Sequence, residues 1–593
     1  MQFFLDSTVR NEGLGDPVCA CCSRAPAQDD VGEAEADATS PRLFRCSDCG
    51  MFLQCEACVL ARHDLQPLHS LKEWTGEFWD DVTLTSLGLV YQVGHGGLPC
   101  PRPEPAERTM VVVHTNGIHI VDFHYCGCDL SDRANHLAQL MGTAWYPATT
   151  IEPATCATFE ALELFRLLNV VGNLNVHDFV GSLERRTDAT KIRPVPDRYK
   201  AFGRMSRQFA FVKRCERAGR AHDSLGVMRT PPGGCAVLCW ACPQDGMNMP
   251  EGWRDVAPEF RFLYMLILAI DANFRLKNRI RKNELEDPSF GSGWGHFVNY
   301  KPYTKHLKNY IAEKDISTCI AFAALLQKDT RMTTGLRCSG VGGVVCARHE
   351  LVRPQGMGDL QKGERQVYSN MDYIILSSLM GLTLLWLTIS YDIACQWKIN
   401  LASRMEKMPE ALRLPETVEI QFGLPVWHAS AHERTCQANN SLNYLEGVGR
   451  TDGEGIERTW SGLNPAAWAT KEMGQGARHD ALEDRIDHHN WEKNIKQGNT
   501  LARKLVVAMA ERDLQVAAFT EVDSTLRSEL RRDWLARVIA YNADRSSPNP
   551  YETAVTKGPS EVTVRLQLKK EEAKEAKEGA EGVHRKGATA FLV

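Results

Sequence analysis

Acidic residues stand where three otherwise unlike stretches change character. The apolar run of FRFLYMLILAIDANFRLK stops at Asp271. That of LTLLWLTISYDIACQWKIN stops at Asp392. A third stretch, GVGRTDGEGIERTWS, offers Glu454 and Glu457 at a predicted helix start. A charged Asp at the end of a buried strand is costly unless something compensates it. Converging carboxylates are ordinarily compensated by a divalent cation. Two strand-end Asp residues and a Glu from a helix make the ligand set of two-metal phosphoryl transfer. The separations are 392 − 271 = 121 and 457 − 392 = 65 residues. The first exceeds what the strands of one sheet need, so it predicts extra helices or a metal-bearing insert.

The third acid is a choice between two. Thr451-Asp452-Gly453-Glu454 fits a capping box, with Thr451 at the N-cap and Glu454 three residues on. Glu454 is then engaged by the helix start, and Glu457, one turn later, is left to reach a metal. Asp271, Asp392 and Glu457 are therefore the candidate catalytic residues, with Glu454 the alternative. Trp460, a further turn along, is expected under Glu457 or against a nucleobase. Asp359, Glu364 and Asp372 read as surface positions or outer support for the acids.

Soft ligands are the second chemical signal. The chain has 20 Cys, and its start, MQFFLDSTVRNEG, lacks a signal-peptide pattern. Thiols of a reducing compartment in CxxC pairs read as metal ligands rather than disulfides. Cys19/Cys22, Cys46/Cys49 and Cys55/Cys58, followed by His63 and His69, supply eight ligands, enough for two tetrahedral zinc sites. A cross-braced pairing is expected, first pair with third and second with fourth, as in ZZ-type or B-box-like fingers. Cys21 is surplus. His95, Cys100, Cys126 and Cys128 form a second candidate site. Cys235, Cys239, Cys242, Cys338, Cys346 and His349 form a third group of open pairing. His428, His432 and Cys436 recur at four-residue spacing, which on one helix makes a stripe. That stripe is either a zinc site completed by Cys395 or His479 or a buried polar seam.

The elements that must position these groups follow from periodicity. MVVVHTNGIHIVDFHYCGC predicts a hairpin turning at Asn-Gly. FEALELFRLLN has helical spacing, 186–205 reads as a polar basic connector, and apolar runs near 262–271 and 382–391 predict strands. From about 500 the composition is helical, ending in a Lys/Glu/Ala run. Residues 29–40 read as an acidic insertion between cysteine pairs. At 593 residues and 43% hydrophobic content the chain can hold three or four domains. A net charge of -5 leaves any nucleic-acid footprint local. Arg275, Lys277, Arg279, Arg281 and Lys282 are one candidate patch, or a solvated face. No apolar run is long enough to span a membrane.

DANF, YDIACQW and GVGRTDGEGIERTWSGLNP, with CWACP and GVGGVVCARHELVRPQGMGDLQKGER between them, resemble the Kyakuja-Dileera-Zisupton (KDZ) transposases. The N-terminal part resembles the cysteine-cluster module that accompanies them, so the resemblance covers roughly residues 15–500. It implies an RNase H-like core, a DDE triad with Mg²⁺ or Mn²⁺, and cut-and-paste transposition on transposon ends and target DNA. The expected fold is α/β: an RNase H-like core interrupted by insertions, preceded by zinc-stabilised modules and followed by a helical region. The expected division is a cross-braced zinc module over 1–75 and a β-rich cysteine-cluster module over 76–187. The core then spans 188–510 and a helical region with a charged tail 511–593. A DNA substrate implies nuclear placement and a homo-oligomer, and the zinc module leaves room for a chromatin or protein ligand. Two other readings stay open: a catalytically idle DNA- or chromatin-binding descendant, and a metal-dependent nuclease or resolvase of the same fold.

Overall fold

The computed structural model describes residues 1–23, 42–128, 136–280, 287–309, 335–360, 367–552 and 570. The stretch 29–40, Arg281, Lys282, Glu364 and the tail from 571 lie outside these. Three larger sheets follow one another along the chain. The first is antiparallel, in the order β2-β1-β3-β4, from β1 (Leu43–Cys46), β2 (Leu53–Cys55), β3 (Leu71–Trp74) and β4 (Trp79–Val82). Its small core of Phe44, Val59, Leu71 and Leu84 is too slight to hold alone, so the Cys/His clusters on its loops carry much of the burden.

The second sheet is built on the predicted hairpin. β7 (Met110–His114) and β8 (Gly117–Cys126) pair with His114 opposite Gly117, so the loop is Thr115-Asn116, one residue earlier than expected. β5 (Val90–Gln92), β6 (Pro103–Pro105), β9 (Trp145–Pro147) and β10 (Thr155–Thr158) complete it. FEALELFRLLN is helical within Phe159–Gly172, capped by the Thr158 hydroxyl, which accepts from the Ala161 N–H. The expected connector, 186–205, is irregular over 188–198 and helical at its two ends. Val176–Thr187 and Tyr199–Arg217 bury Phe179, Leu183, Phe202 and Phe209, apolar positions interleaved with the basic ones.

The third sheet runs β15-β14-β11-β16-β17, from β11 (Leu266–Asn273), β14 (Gly340–Cys346), β15 (Val352–Leu360), β16 (Trp386–Ser390) and β17 (Glu419–Gly423). β15, β14 and β11 are antiparallel neighbours, and β16 and β17 add in parallel to β11. The long first gap also holds β12 (Asn278–Arg279), which pairs with β13 (Leu336–Cys338), and the helix Tyr300–Asn309. Residues 258–263 form a short 3-10 turn ahead of β11.

β11 reads as an uninterrupted apolar run because both sheet faces are covered. Adjacent glycines of β14 show this. A Cβ on Gly342 would meet Met371 and Ile374 of the helix Val367–Ser378, whereas one on Gly343 would lie 2.4 Å from the Trp460 ring. Successive strand residues face opposite ways, so the helices Val367–Ser378 and Gly455–Leu463 cover opposite faces.

The helix Gln475–Ile495 is the least expected element. Its sequence, QGARHDALEDRIDHHNWEKNI, is polar all round, yet much of it is buried. Asp484 pairs with Arg166 at 2.9 Å, Asp480 with Arg207 at 2.6 Å, and Asp487 with Arg214 at 2.9 Å. Glu483 accepts the backbone N–H of His296 and Phe297. The helix thus joins the helices Phe159–Gly172 and Tyr199–Arg217 to the third sheet through charge-assisted bonds. Beyond it the helices Gln497–Thr525 and Ser528–Ala543 match the expected helical region.

Candidate active site and metal centres

Register brings the two Asp residues together. Ala269 of β11 is level with Ser390 of β16, its parallel neighbour. Asp271 and Asp392 each lie two residues further on, so both project from the same face as that pair at one end of the sheet. Asp271 sits inside β11 opposite Gly343, and Asp392 lies just past the end of β16. Burial and the charges of Asp392 and Glu457 hold the Asp271 carboxyl well above the usual carboxylate range. Burial also pushes Asp392 up to about 6, with Glu454 and Glu457 adding to the rise and His428 opposing it.

The helix Gly455–Leu463 delivers the remaining groups. Trp460 is 3% exposed and its Nε1–H donates to Asp271 Oδ2 at 2.8 Å. Its ring lies on Gly343, where any side chain would displace it. That burial removes Trp460 from any base-stacking role. Glu457, in the first turn of this helix, is exposed, and its charge reaches both Asp residues.

The expected capping box is absent. The Thr451 hydroxyl donates to the Val448 carbonyl at 3.0 Å, and Asp452 Oδ1 accepts the Glu454 N–H at 3.0 Å. Asp452 outcompetes Thr451 by closing an Asx turn two residues ahead, with Gly453 at φ +76 making the bend. Glu454 is engaged nonetheless. It accepts the Trp427 N–H at 3.0 Å and pairs with His428 Nδ1 at 3.1 Å.

His428 itself departs from the expected stripe. The chain from 426 to 440 is two short helices, Val426–Ala429 and Arg434–Asn440, joined by a turn. The break turns His428 toward the acids, 3.5 Å from Asp392 Oδ2, and leaves His432 facing Cys436. The bond to Glu454 and the charge of Asp392 raise His428 to about 9 against burial. Trp427, beside it, is 82% exposed.

Asp359 and Asp372 are buried rather than on the surface. Asp359 pairs with Arg478 and His479, and Asp372 accepts from Arg404 Nε at 2.6 Å and Trp397 Nε1 at 2.7 Å. His479 is thereby held away from any thiol cluster.

The cysteines gather into five groups among the described residues, each with its ligand atoms within 4.8 Å of one another. Zinc–sulfur and zinc–nitrogen bonds of about 2.3 and 2.0 Å imply tetrahedral edges of about 3.5–3.8 Å. Cys19, Cys22, Cys55 and Cys58 form one group, with Cys22 Sγ 3.7 Å from Cys55 Sγ. Cys46, Cys49, His63 and His69 form the next, with His63 Nε2 3.5 Å from Cys49 Sγ and its Nδ1 on the Val59 carbonyl. That second bond fixes the ring, as an outer partner of a metal-binding His does. Pairs one and three and pairs two and four are thus interleaved on the first sheet. His95, Cys100, Cys126 and Cys128 meet across β8, with Cys100 3.9 Å from Cys128. Cys239, Cys242, Cys346 and His349 meet at the end of β14, with Cys239 3.3 Å from His349 Nδ1. Cys235 lies instead against Cys215, and Cys338 near Asp359. Cys395, His432 and Cys436 make the fifth group. These Cys/His sets suit structural zinc.

Residues 264–490 match the family model of the Kyakuja-Dileera-Zisupton transposase. Residues 84–191 match the CxC2 like cysteine cluster associated with KDZ transposases. The chain belongs to the KDZ transposase family. No curated protein and no solved structure matches it. All four acids and His428 fall inside the KDZ match, and His95, Cys100, Cys126 and Cys128 fall inside the cysteine-cluster match. Membership of a transposase family implies DNA binding and a nuclease or transposase activity. Among the described residues no helix is long and apolar enough to cross a membrane.

The sequence reading missed the roles of His428 and of the helix Gln475–Ile495. His428 was legible as a ligand type but not in its direction, which depends on the break after Ala429. The buried helix does carry a signal: Asp480, Asp484 and Asp487 stand at i, i+4 and i+7 and form one acidic face, with Arg478 and Arg485 on the opposite side.

Proposed function

We propose that this KDZ protein is a DDE transposase that cleaves and joins DNA strands at Asp271, Asp392 and Glu457. The observation that carries the reading is the pair of Asp residues two positions past one parallel register pair, each held above its normal range by burial and by other carboxylates. Charges so placed call for cations. The donor set, all carboxylate oxygen, suits Mg²⁺ or Mn²⁺. Bound there, such ions would polarise the scissile phosphate and activate a water and then a DNA 3′-hydroxyl for in-line attack.

The chain's own residues do the positioning. Trp460 orients the Asp271 carboxylate and shields one side of it from water. Glu454 is occupied by Trp427 and His428, which leaves Glu457 as the third ligand. His428 bridges Glu454, 3.1 Å away, and Asp392, 3.5 Å away, and so holds Glu454 in place beside the site. The exposed Trp427 offers a flat face to an unstacked base.

Sheet order supports an RNase H-like core: three antiparallel strands, extended on the β11 side by two parallel ones, with helices on both faces. In this reading the zinc modules over 1–75 and 76–187 precede a core over 188–510, and 511–593 is a helical appendage. The protein acts in the nucleus on transposon ends and target DNA as a homo-oligomer. The test is incubation of the full chain with DNA carrying the element's terminal repeats. Strand cleavage with Mg²⁺ or Mn²⁺ and none with a chelator supports the reading; cleavage indifferent to divalent ions rejects it.

A further inference from the structure

We infer that Cys395, His432 and Cys436 bind a zinc ion that clasps the loop of Asp392 to the segment of His428. Cys395 Sγ and Cys436 Sγ lie 3.8 and 3.7 Å from His432 Nδ1. Those distances fit the tetrahedral edges of about 3.5–3.8 Å that zinc bonds imply. Both thiols face one imidazole nitrogen, and all three side chains are half-exposed. Lys398 adds a nearby positive charge; its Nζ donates to Asn440 at 2.7 Å, and the Asn440 amide lies 3.6 Å from Cys436 Sγ. Amide and ammonium donors around bound thiolates are the outer support a zinc site uses. Two Cys and one His leave the fourth corner to solvent.

The placement gives the ion a purpose. Cys395 is three residues past Asp392, and His432 is four past His428. An ion between the two segments would fix the distance between Asp392 and His428, which now stands at 3.5 Å. The clasp role rests on the transposase reading above; the zinc site does not. The spacing of 428, 432 and 436 alone pointed to His428 as a ligand, whereas the geometry excludes it.

Zinc content of the purified full chain, measured by elemental analysis for the parent and for Cys395→Ser, His432→Ala and His428→Ala, decides between the two sets. We expect Cys395→Ser and His432→Ala each to lose one zinc per chain and His428→Ala to lose none. Unchanged zinc in folded Cys395→Ser and His432→Ala, or loss in His428→Ala, overturns the site. Should the variants not fold, alkylation of the unmutated protein serves. Cys395 and Cys436 should resist maleimide until a strong chelator is added, and equal labelling with and without it overturns the site. Cleavage of terminal-repeat DNA by Cys395→Ser should fall at least tenfold. Zinc loss with undiminished cleavage removes the clasp role, and a parent that never cleaves removes the transposase reading while the zinc count stands.

Discussion

The indole N–H of Trp460 donates to the Asp271 carboxylate at 2.8 Å while its ring lies against Gly343, the residue paired with Asp271 across β11 and β14. One side chain therefore sets both the direction of a candidate metal ligand and the packing beneath it. Trp460→Phe keeps most of the packing and removes the donor. A hydrogen bond to a charged group is worth about 1.5–3 kcal/mol. We expect cleavage to fall roughly ten- to a hundredfold with little change in melting temperature, read by single-turnover kinetics beside a thermal scan. A Trp460→Phe protein as active as the parent would show the bond to be incidental.

Glu454 and Glu457 are separated by their partners. Glu457→Gln should abolish cleavage in a folded protein, a loss of orders of magnitude. Glu454→Gln still accepts from the Trp427 N–H and should remain measurably active. Parallel assays of the two variants decide, and the opposite pattern would transfer the third position to Glu454.

The strands that end near Asp271 and Asp392, the hairpin and the two Cys/His sets of the first module were legible because each rests on local spacing. Strand ends, CxxC pairs and a two-residue turn need no knowledge of the rest of the chain. What was not legible depended on competition or on distance. Asp452 and Thr451 bid for the same N–H, and only the loop geometry shows that Asp452 holds it. Asp359 and Asp372 read as surface acids because their partners Arg478 and Arg404 stand 119 and 32 residues away. The burial of the polar helix Gln475–Ile495 was hidden for the same reason, since Arg166 stands 318 residues from Asp484 and Arg207 stands 273 from Asp480.

That helix should be a stability determinant. Asp487 is fully buried between Arg214 at 2.9 Å, Arg217 at 3.0 Å and His296 at 3.2 Å. Removing one partner of a buried pair costs about 3–5 kcal/mol. Because Arg217 and His296 remain, Arg214→Ala should sit near the lower figure, measured by denaturant unfolding. Asp487 and Asp359 are held below the ordinary carboxylate range against burial, by His296 and Arg214 and by Arg478 and His479. A depressed folded-state pKa stabilises above the unfolded value and is lost as pH falls toward the folded one. Unfolding free energy should therefore hold above the carboxylate range and decline steeply below it. A stability flat through that acid range would count against these pairs.

Interleaving of the first zinc module has a chemical signature. Cys22→Ser should expose Cys19, Cys55 and Cys58 to alkylation and leave Cys46 and Cys49 protected, as mapped by mass spectrometry. Exposure of Cys46 and Cys49 in their place would indicate sequential pairing.

Trp427 is exposed beside His428 and bears no packing load. Trp427→Ala should leave stability unchanged and weaken binding of DNA with an unpaired end by about 1–3 kcal/mol, the worth of one base stacked on an aromatic. Fluorescence anisotropy with frayed and fully paired ends checks this; equal affinity of parent and variant would remove the stacking role.

The central claim is that Asp271, Asp392 and Glu457 form one divalent-cation site that cuts DNA. Asp392→Asn tests it most directly, since it removes a charge and keeps the shape. Strand cleavage of terminal-repeat DNA in Mg²⁺ or Mn²⁺ is the measurement, with DNA binding by the same preparation as the control. We predict that Asp392→Asn binds DNA like the parent and yields no cut strand; cleavage at near the parent rate would contradict the account.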